Sequence, residues 1–263
     1  MRGNPVTRMP LIVAHMGASY DAPENTLASF RLAWQQGADA IEGDFHLTAD
    51  GRIVCIHDQT LDRTAGVHAA VAGSTLAELR EMDVGSRRGQ EWRGERIPTI
   101  EEVLATVPAG RKVFIEIKVG PDILTPLRKA IEGSAVAREQ IVVIAFDAEV
   151  VARAKRELTG TKAMWLVAHA RDSEADEWRP TPDQILVALT RSGADGVDSD
   201  ASPAVDRGLA AALRARRLEL HVWTVDDPGT AERLVALGVH SLTTNRPGWL
   251  RARLAGIMAR DRS

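Results

Sequence analysis

The sequence predicts an α/β fold: a (β/α)8 barrel, or TIM barrel, with a small insertion after its second strand. Three observations carry this reading. Short apolar runs alternate with amphipathic stretches along most of the chain, which implies a parallel sheet flanked by helices. Eight such strand–helix units begin near residues 11, 40, 112, 141, 162, 196, 219 and 241. The chain has 263 residues, and eight units in about 250 residues are what a closed barrel requires. The alternative is a doubly wound open sheet, which usually has fewer units and a Gly-rich phosphate loop after its first strand. His15-Met16-Gly17-Ala18-Ser19 is not such a loop. The whole chain, 1–263, reads as one barrel domain with an insertion at about 58–97.

The elements follow in order. Leu11-Ile12-Val13-Ala14 is a short apolar run ending at His15, as expected of a buried strand. Residues 24–36 have helical spacing of Ala28, Phe30, Ala33 and Trp34 and stop at Gly37. The second strand spans 40–46, Ala49-Asp50-Gly51 forms a turn, and 52–57 return as another strand. The insertion holds a short helical patch at 75–82 and an exposed polar loop at 85–94. Thr99 caps a further helix with Glu101 and Glu102 in its first turn, where the helix dipole favours acid. Regular alternation then sets in. Strands are expected at 112–118, 141–146, 162–168, 196–198, 219–225 and 241–244, and helices at 122–132, 148–158, 182–191, 203–216, 228–237 and 247–258. Residues 169–181 read as a loop.

Composition narrows the function classes. Lys plus Arg is 33 and Asp plus Glu is 36, a net charge of −3 with no basic run, so nothing points to nucleic acid. No stretch approaches the roughly 20 apolar residues of a membrane helix, and residues 1–10 lack the apolar core of a signal peptide. The single cysteine, Cys55, excludes an intrachain disulfide and fits a reducing compartment, so the expectation is a cytoplasmic protein without an integral membrane segment.

In this fold, active sites lie at the C-terminal ends of the strands. The residues ending the apolar runs there are His15, Glu42 and Asp44, His57 with Asp58, Glu116 and Lys118, and Trp223. Glu42 and Asp44 are two apart on one strand, hence on one face, with His46 next in the row. Like carboxylates side by side are costly unless a positive charge sits between them. Three carboxylates round one centre suit a hard cation. Two histidines suit proton transfer near neutrality, and Lys118 can neutralise an anionic oxygen. Together these groups suit phosphoryl transfer to an oxygen nucleophile. The plain structural alternative is solvated acids, a structural histidine and a surface ion pair.

These residues also carry a resemblance. His15-Met16-Gly17, Pro23-Glu24-Asn25-Thr26, Gly37-Ala38-Asp39-Ala40-Ile41-Glu42-Gly43-Asp44, Thr48-Ala49-Asp50-Gly51 and His57-Asp58 resemble, in order and spacing, the glycerophosphodiester phosphodiesterase family. So do Leu61-Asp62-Arg63-Thr64, Ile97-Pro98-Thr99-Ile100-Glu101-Glu102-Val103-Leu104, Glu116-Ile117-Lys118 and Val222-Trp223-Thr224-Val225. The resemblance implies one Mg2+ or Ca2+ held by Glu42, Asp44 and Glu116, with His15 and His57 as the acid–base pair and Lys118 on the phosphate. It implies cleavage of a small-molecule phosphodiester, such as a glycerophosphodiester, to an alcohol and a phosphomonoester. A neighbouring substrate hydroxyl is a candidate first nucleophile. Glu24 has two readings, as a support of the site or as the start of the first helix, and Asn25 likewise, as a support or as a loop or capping residue. Asp62 and Arg63 read as structural partners.

Three departures bear on substrate. Met16 stands where the family usually has arginine, which removes a charge-assisted phosphate contact worth roughly 1.5–3 kcal/mol and adds apolar surface. Asn245 replaces the usual aspartate in Gly238-Val239-His240-Ser241-Leu242-Thr243-Thr244-Asn245-Arg246-Pro247, where His240 is expected to face outside. Ala145-Phe146 stands where the family often has Ser-Phe, and Phe146 with Trp223 would either wall an alcohol pocket or belong to the core. The leading expectation is metal-dependent hydrolysis of glycerophosphodiesters to an alcohol and glycerol 3-phosphate. The alternatives are the same chemistry on a less anionic or more apolar phosphoester, such as a lysophospholipid or another organophosphate, and a weakly active phosphoester-binding relic. A barrel lyase of sugar acids is a further reading, opposed by the paired histidines.

Overall fold

Among the described residues nine strands form one continuous sheet, and eight of them close into a parallel barrel. The structure is a computed structural model and describes residues 9–260, with side chains through 256. Most of the N-terminal stretch read above for a leader lies outside the described residues.

The order is β1 (Leu11–Ala14), α1 (Leu27–Gln35), β2 (Ala40–Leu47), β3 (Ile53–Cys55), α2 (Leu76–Arg80), α3 (Ile100–Leu104) and β4 (Lys112–Ile117). Then come α4 (Leu124–Glu132), β5 (Ile141–Ala145), α5 (Ala148–Glu157), β6 (Lys162–Val167), β7 (Ala170–Asp172), β8 (Glu177–Arg179) and α6 (Pro182–Ser192). The chain ends with β9 (Gly196–Asp200), α7 (Arg207–Ala215), β10 (Glu219–Trp223), α8 (Pro228–Leu237), β11 (Ser241–Thr244) and α9 (Pro247–Arg260). Closure is made by β1, which pairs in parallel with β11 and with β2.

Local chemistry sets the helix starts. Thr26, Thr75, Thr99 and Thr181 each accept from the third residue of the helix that follows, and that residue's side chain returns to the cap backbone. Asp147, Asp206 and Asp227 cap α5, α7 and α8. Helix 203–216 of the sequence reading therefore begins later, at Arg207, because Asp206 is the cap.

Inside the barrel, Val13, Ala40, Phe114, Val142, Ile144, Met164 and Leu166 form an apolar plug, with Trp223 packed on it. The helices cover the outer faces through the main core. β3 runs antiparallel to β2, pairing Cys55 with Phe45. The insertion packs on a small core of its own, built from Val54, Ile56, Leu61, Val71, Leu79 and Ile97. Residues 169–181 are not a plain loop: they contain the β7–β8 hairpin. His240 is exposed, as expected.

Candidate active site

Parallel register sets the acidic cluster. Asp44 on β2 lies directly beside Glu116 on β4, and Glu42 projects from the same face of β2 as Asp44. One carboxylate oxygen from each of Glu42, Asp44 and Glu116 lies within 4.8 Å of the others. All three are buried or nearly so.

The cluster is short of positive charge. Burial pushes the Glu42 carboxyl well up, and Asp44 and Glu116 add to it. Burial and then Asp44 push Glu116 to about 7, against the pull of Lys118. Glu42 Oε2 accepts the Met16 N–H at 2.9 Å, while Glu42 Oε1 is buried with no partner among the described residues. Lys118 Nζ reaches Glu116 Oε1 at 2.8 Å and Asp44 Oδ1 at 3.4 Å. Burial acts against its charge, but Asp44 and Glu116 outweigh it, so it stays an ammonium. An all-oxygen set with an orphaned carboxylate oxygen fits a hard divalent cation.

Asn25 is the support of this cluster. Its backbone is left-handed, with φ 55°, a conformation asparagine tolerates better than most. Its Nδ2 donates to Asp44 Oδ2 at 2.8 Å, and its Oδ1 accepts the Asp44 N–H at 3.2 Å. Helix α1 starts only after Thr26, so neither Glu24 nor Asn25 begins it. Gly17, with φ 81°, makes the adjacent turn, where a Cβ would lie 2.3 Å from Ser29 Oγ.

The two histidines are held by different partners. His15 Nδ1 lies 2.8 Å from Asn245 Oδ1, which also accepts from Ser19 Oγ at 2.8 Å. His57 Nδ1 lies 2.7 Å from Asp58 Oδ1. Asp58 Oδ2 in turn accepts from Arg63 Nε at 2.7 Å, and the Arg63 fork clamps Glu24 with two bonds of 2.6 Å. A chain Glu24–Arg63–Asp58–His57 therefore links two loops 39 residues apart in sequence. Arg63 holds the Asp58 carboxyl at about 2, against burial and with help from His57. His46 donates from Nε2 to the His57 carbonyl at 3.1 Å, and burial holds its own imidazole below the usual range.

A cavity of about 210 Å3 opens here. His15, Glu42, His57, Glu116 and Lys118 line it, together with Ile144, Leu166, Phe146, Trp223, Asp198 and Thr243. Phe146 and Trp223 meet edge to face, with centroids 6.0 Å apart, and Phe146 is 47% exposed, so it is no core residue. The half-buried Met16 side chain is not part of the lining, and what this residue contributes is its N–H to Glu42. The sequence alone does not single out Asp198 or Thr243. The available signal is the alternation on Gly196-Val197-Asp198, which turns an acid into the barrel.

A parallel barrel with clustered carboxylates, an ammonium and two oriented imidazoles at the C-terminal mouth has the groups that cation-assisted hydrolysis uses. The chain belongs to the glycerophosphoryl diester phosphodiesterase family, which it matches over residues 15–249. It is 32% identical over 244 residues to the glycerophosphodiester phosphodiesterase of Caldanaerobacter subterraneus subsp. tengcongensis, covering 90% of this chain and 94% of that protein. Against the enzyme of the same name from Bacillus subtilis it is 28% identical over 254 residues, covering 90% and 84%. A phosphodiesterase of Oleispira antarctica, solved in complex with the product sn-glycerol-3-phosphate, matches with a TM-score of 0.83 at 25% identity, covering 94% of this chain and 97% of that one. The protein is a phosphoric diester hydrolase, and among its described residues no helix is long and apolar enough to cross a membrane.

Proposed function

We propose that the enzyme hydrolyses glycerophosphodiesters to an alcohol and glycerol 3-phosphate, with Glu42, Asp44 and Glu116 holding one Mg2+ or Ca2+ and His15 and His57 moving the protons. The observation that carries this reading is the meeting of the three-carboxylate cluster with two tethered imidazoles in one cavity. When bound, the cation supplies Lewis acidity to the phosphate and hydroxyl oxygens.

The rest is done by side chains. Asn245 and Asp58 each take up a histidine Nδ1–H, which leaves Nε2 of each ring for the substrate. One imidazole takes the proton of the attacking oxygen, the substrate's own neighbouring hydroxyl in the first step. The other gives its proton to the alcohol as the P–O bond breaks. Water then opens the cyclic phosphodiester with the roles reversed. Lys118 faces the growing negative charge on phosphorus oxygens. Phe146 and Trp223 give the departing alcohol an apolar wall. A buried, free Cys55 suits a reducing, cytoplasmic setting.

The test is turnover of glycerophosphocholine by chelator-stripped protein, with Mg2+, Ca2+ and Mn2+ added back singly. The expected result is activity only with added cation, reduced at least about a hundredfold in His15→Ala and in His57→Ala. Thermal melting should show the cation raising Tm in the parent and not in Glu42→Gln. Cation-independent turnover, or histidine variants as active as the parent, would overturn the assignment.

A further inference from the structure

Two polar atoms in the cavity have no partner among the described residues and no part in the chemistry above. Asp198 Oδ1 and Thr243 Oγ1 are buried and unpartnered. Their residues are 1% and 2% exposed, and both line the cavity. They lie on β9 and β11, on either side of β10, at inward positions of the strand alternation. Trp223 and His221, the neighbouring polar side chains on β10, are already engaged. Trp223 Nε1 donates to the Asp198 backbone carbonyl at 3.2 Å, not to its carboxylate. His221 has Ser241 Oγ at 2.7 Å on one ring nitrogen and Glu219 Oε2 at 3.1 Å on the other. Burial pushes the Asp198 carboxyl up to about 6, with only His221 opposing. A buried acceptor left dry costs stability, and such groups persist where something outside the fold pairs with them.

We propose that Asp198 and Thr243 together read a free hydroxyl on the substrate polyol, the one not adjacent to the phosphoester, and so restrict the enzyme to deacylated glycerophosphodiesters. This rests on the hydrolase reading above. There, the hydroxyl next to the phosphoester is used by the acid–base machinery, so the terminal hydroxyl is the donor left over. The carboxylate accepts it, and the threonine hydroxyl bonds to the same oxygen. The neighbouring walls, Ile144, Leu166, Phe146 and Trp223, cannot replace that pairing. A lysophospholipid bears an acyl ester where the donor is needed. A site with buried groups built for a hydroxyl discriminates steeply against analogues that lack it.

The experiment compares glycerol 3-phosphate with propane-1,2-diol 1-phosphate, which keeps the adjacent hydroxyl and lacks the terminal one. Binding to the Mg2+-loaded protein is measured by calorimetry, and the two matching phosphocholine diesters are compared by kcat/KM. The parent should bind the glycerol compound at least about tenfold more tightly and favour its diester by about a hundredfold or more. Asp198→Leu with Thr243→Val should reduce both ratios to below about threefold, whereas Asp198→Asn, which keeps an acceptor, retains most of the preference. Asp198→Leu should also melt higher than the parent, since it removes an unpaired buried carboxylate. A lower Tm would mark a structural role and overturn the proposal. Equal binding of the two phosphates by the parent would overturn it too. So would an Asp198→Asn variant as impaired as Asp198→Leu with preference following the charge of the leaving alcohol, since the carboxylate would then read a cation. Discrimination in binding without turnover of either diester would sink the hydrolase reading and leave the hydroxyl site standing. Turnover without discrimination would do the reverse.

Discussion

His15 Nδ1 sits 2.8 Å from Asn245 Oδ1, and the orientation of that amide is fixed from its far side. Asn245 Nδ2 lies 2.5 Å from Asp226 Oδ2, an acceptor only, so the amide oxygen must face His15. The His15 Nδ1–H is thereby specified through two steps. Asp226 is what holds the Asn245 amide in the orientation that His15 uses.

Restoring the family's usual residue should therefore harm this enzyme. Asn245→Asp would press a second carboxylate against Asp226, and like charges in contact are costly. We expect a loss of about 1–3 kcal/mol and a fall in kcat of about tenfold. The loss should be greater at pH 8 than at pH 5, where the pair can share a proton. Denaturant melts at the two pH values check this. A variant as stable as the parent at pH 8 would show that Asp226 does not fix the amide.

Arg63 tests the other histidine. It bridges Glu24 and Asp58, and Asp58 carries His57. Arg63 is half exposed, so Arg63→Ala should cost at most about 1 kcal/mol. Activity should fall more, by about tenfold, because Asp58 loses its anchor. The pH dependence has a definite sign. The Asp58 carboxyl is depressed to about 2. Its contribution is complete above the unfolded value of about 3.9 and is lost as pH falls through about 2. Without Arg63 the carboxyl moves back up toward the ordinary range, so the stability it contributes should be lost at higher pH in acid melts of Arg63→Ala than in those of the parent. An acid transition unmoved by the substitution would place the effect of Arg63 elsewhere.

The features legible in the sequence are those whose physics is local or periodic. Alternating runs predict eight strands because a parallel sheet buries both faces. The spacing of Glu42 and Asp44 predicts a shared face because strand period is two. Long-range pairing is what the sequence hides. Nothing near Glu24 indicates Arg63, and the local pattern puts a helix start where Thr26 has yet to cap it. The β7–β8 hairpin escapes for a different reason. Ala170-Arg171-Asp172 and Glu177-Trp178-Arg179 lack an apolar face, and the hairpin is held by the pairing of Arg171 with Asp176 and the stacking of Arg171 over Trp178. Asp198 is hidden by expectation, since an acid within a short apolar strand reads as the strand's end rather than as an inward-facing group.

Gly43 joins packing to the carboxylate cluster. It lies between Glu42 and Asp44 on the opposite face of β2. A Cβ there would meet Cys55 Sγ at 3.0 Å, Phe30 Cζ at 3.1 Å and Asn25 Oδ1 at 3.3 Å. Asn25 is the residue that grips Asp44 at both its carboxylate and its N–H. Gly43→Ala should therefore act twice. Overpacking should cost about 1–3 kcal/mol, and displacement of Asn25 should weaken divalent-cation affinity by about tenfold. Adding Cys55→Ala removes the nearest obstacle and should recover part of both losses. Urea melts report the first effect and calorimetric titration with Mg2+ or Ca2+ the second. Lost stability with unchanged affinity would assign Gly43 to packing alone and free Asp44 from dependence on Asn25.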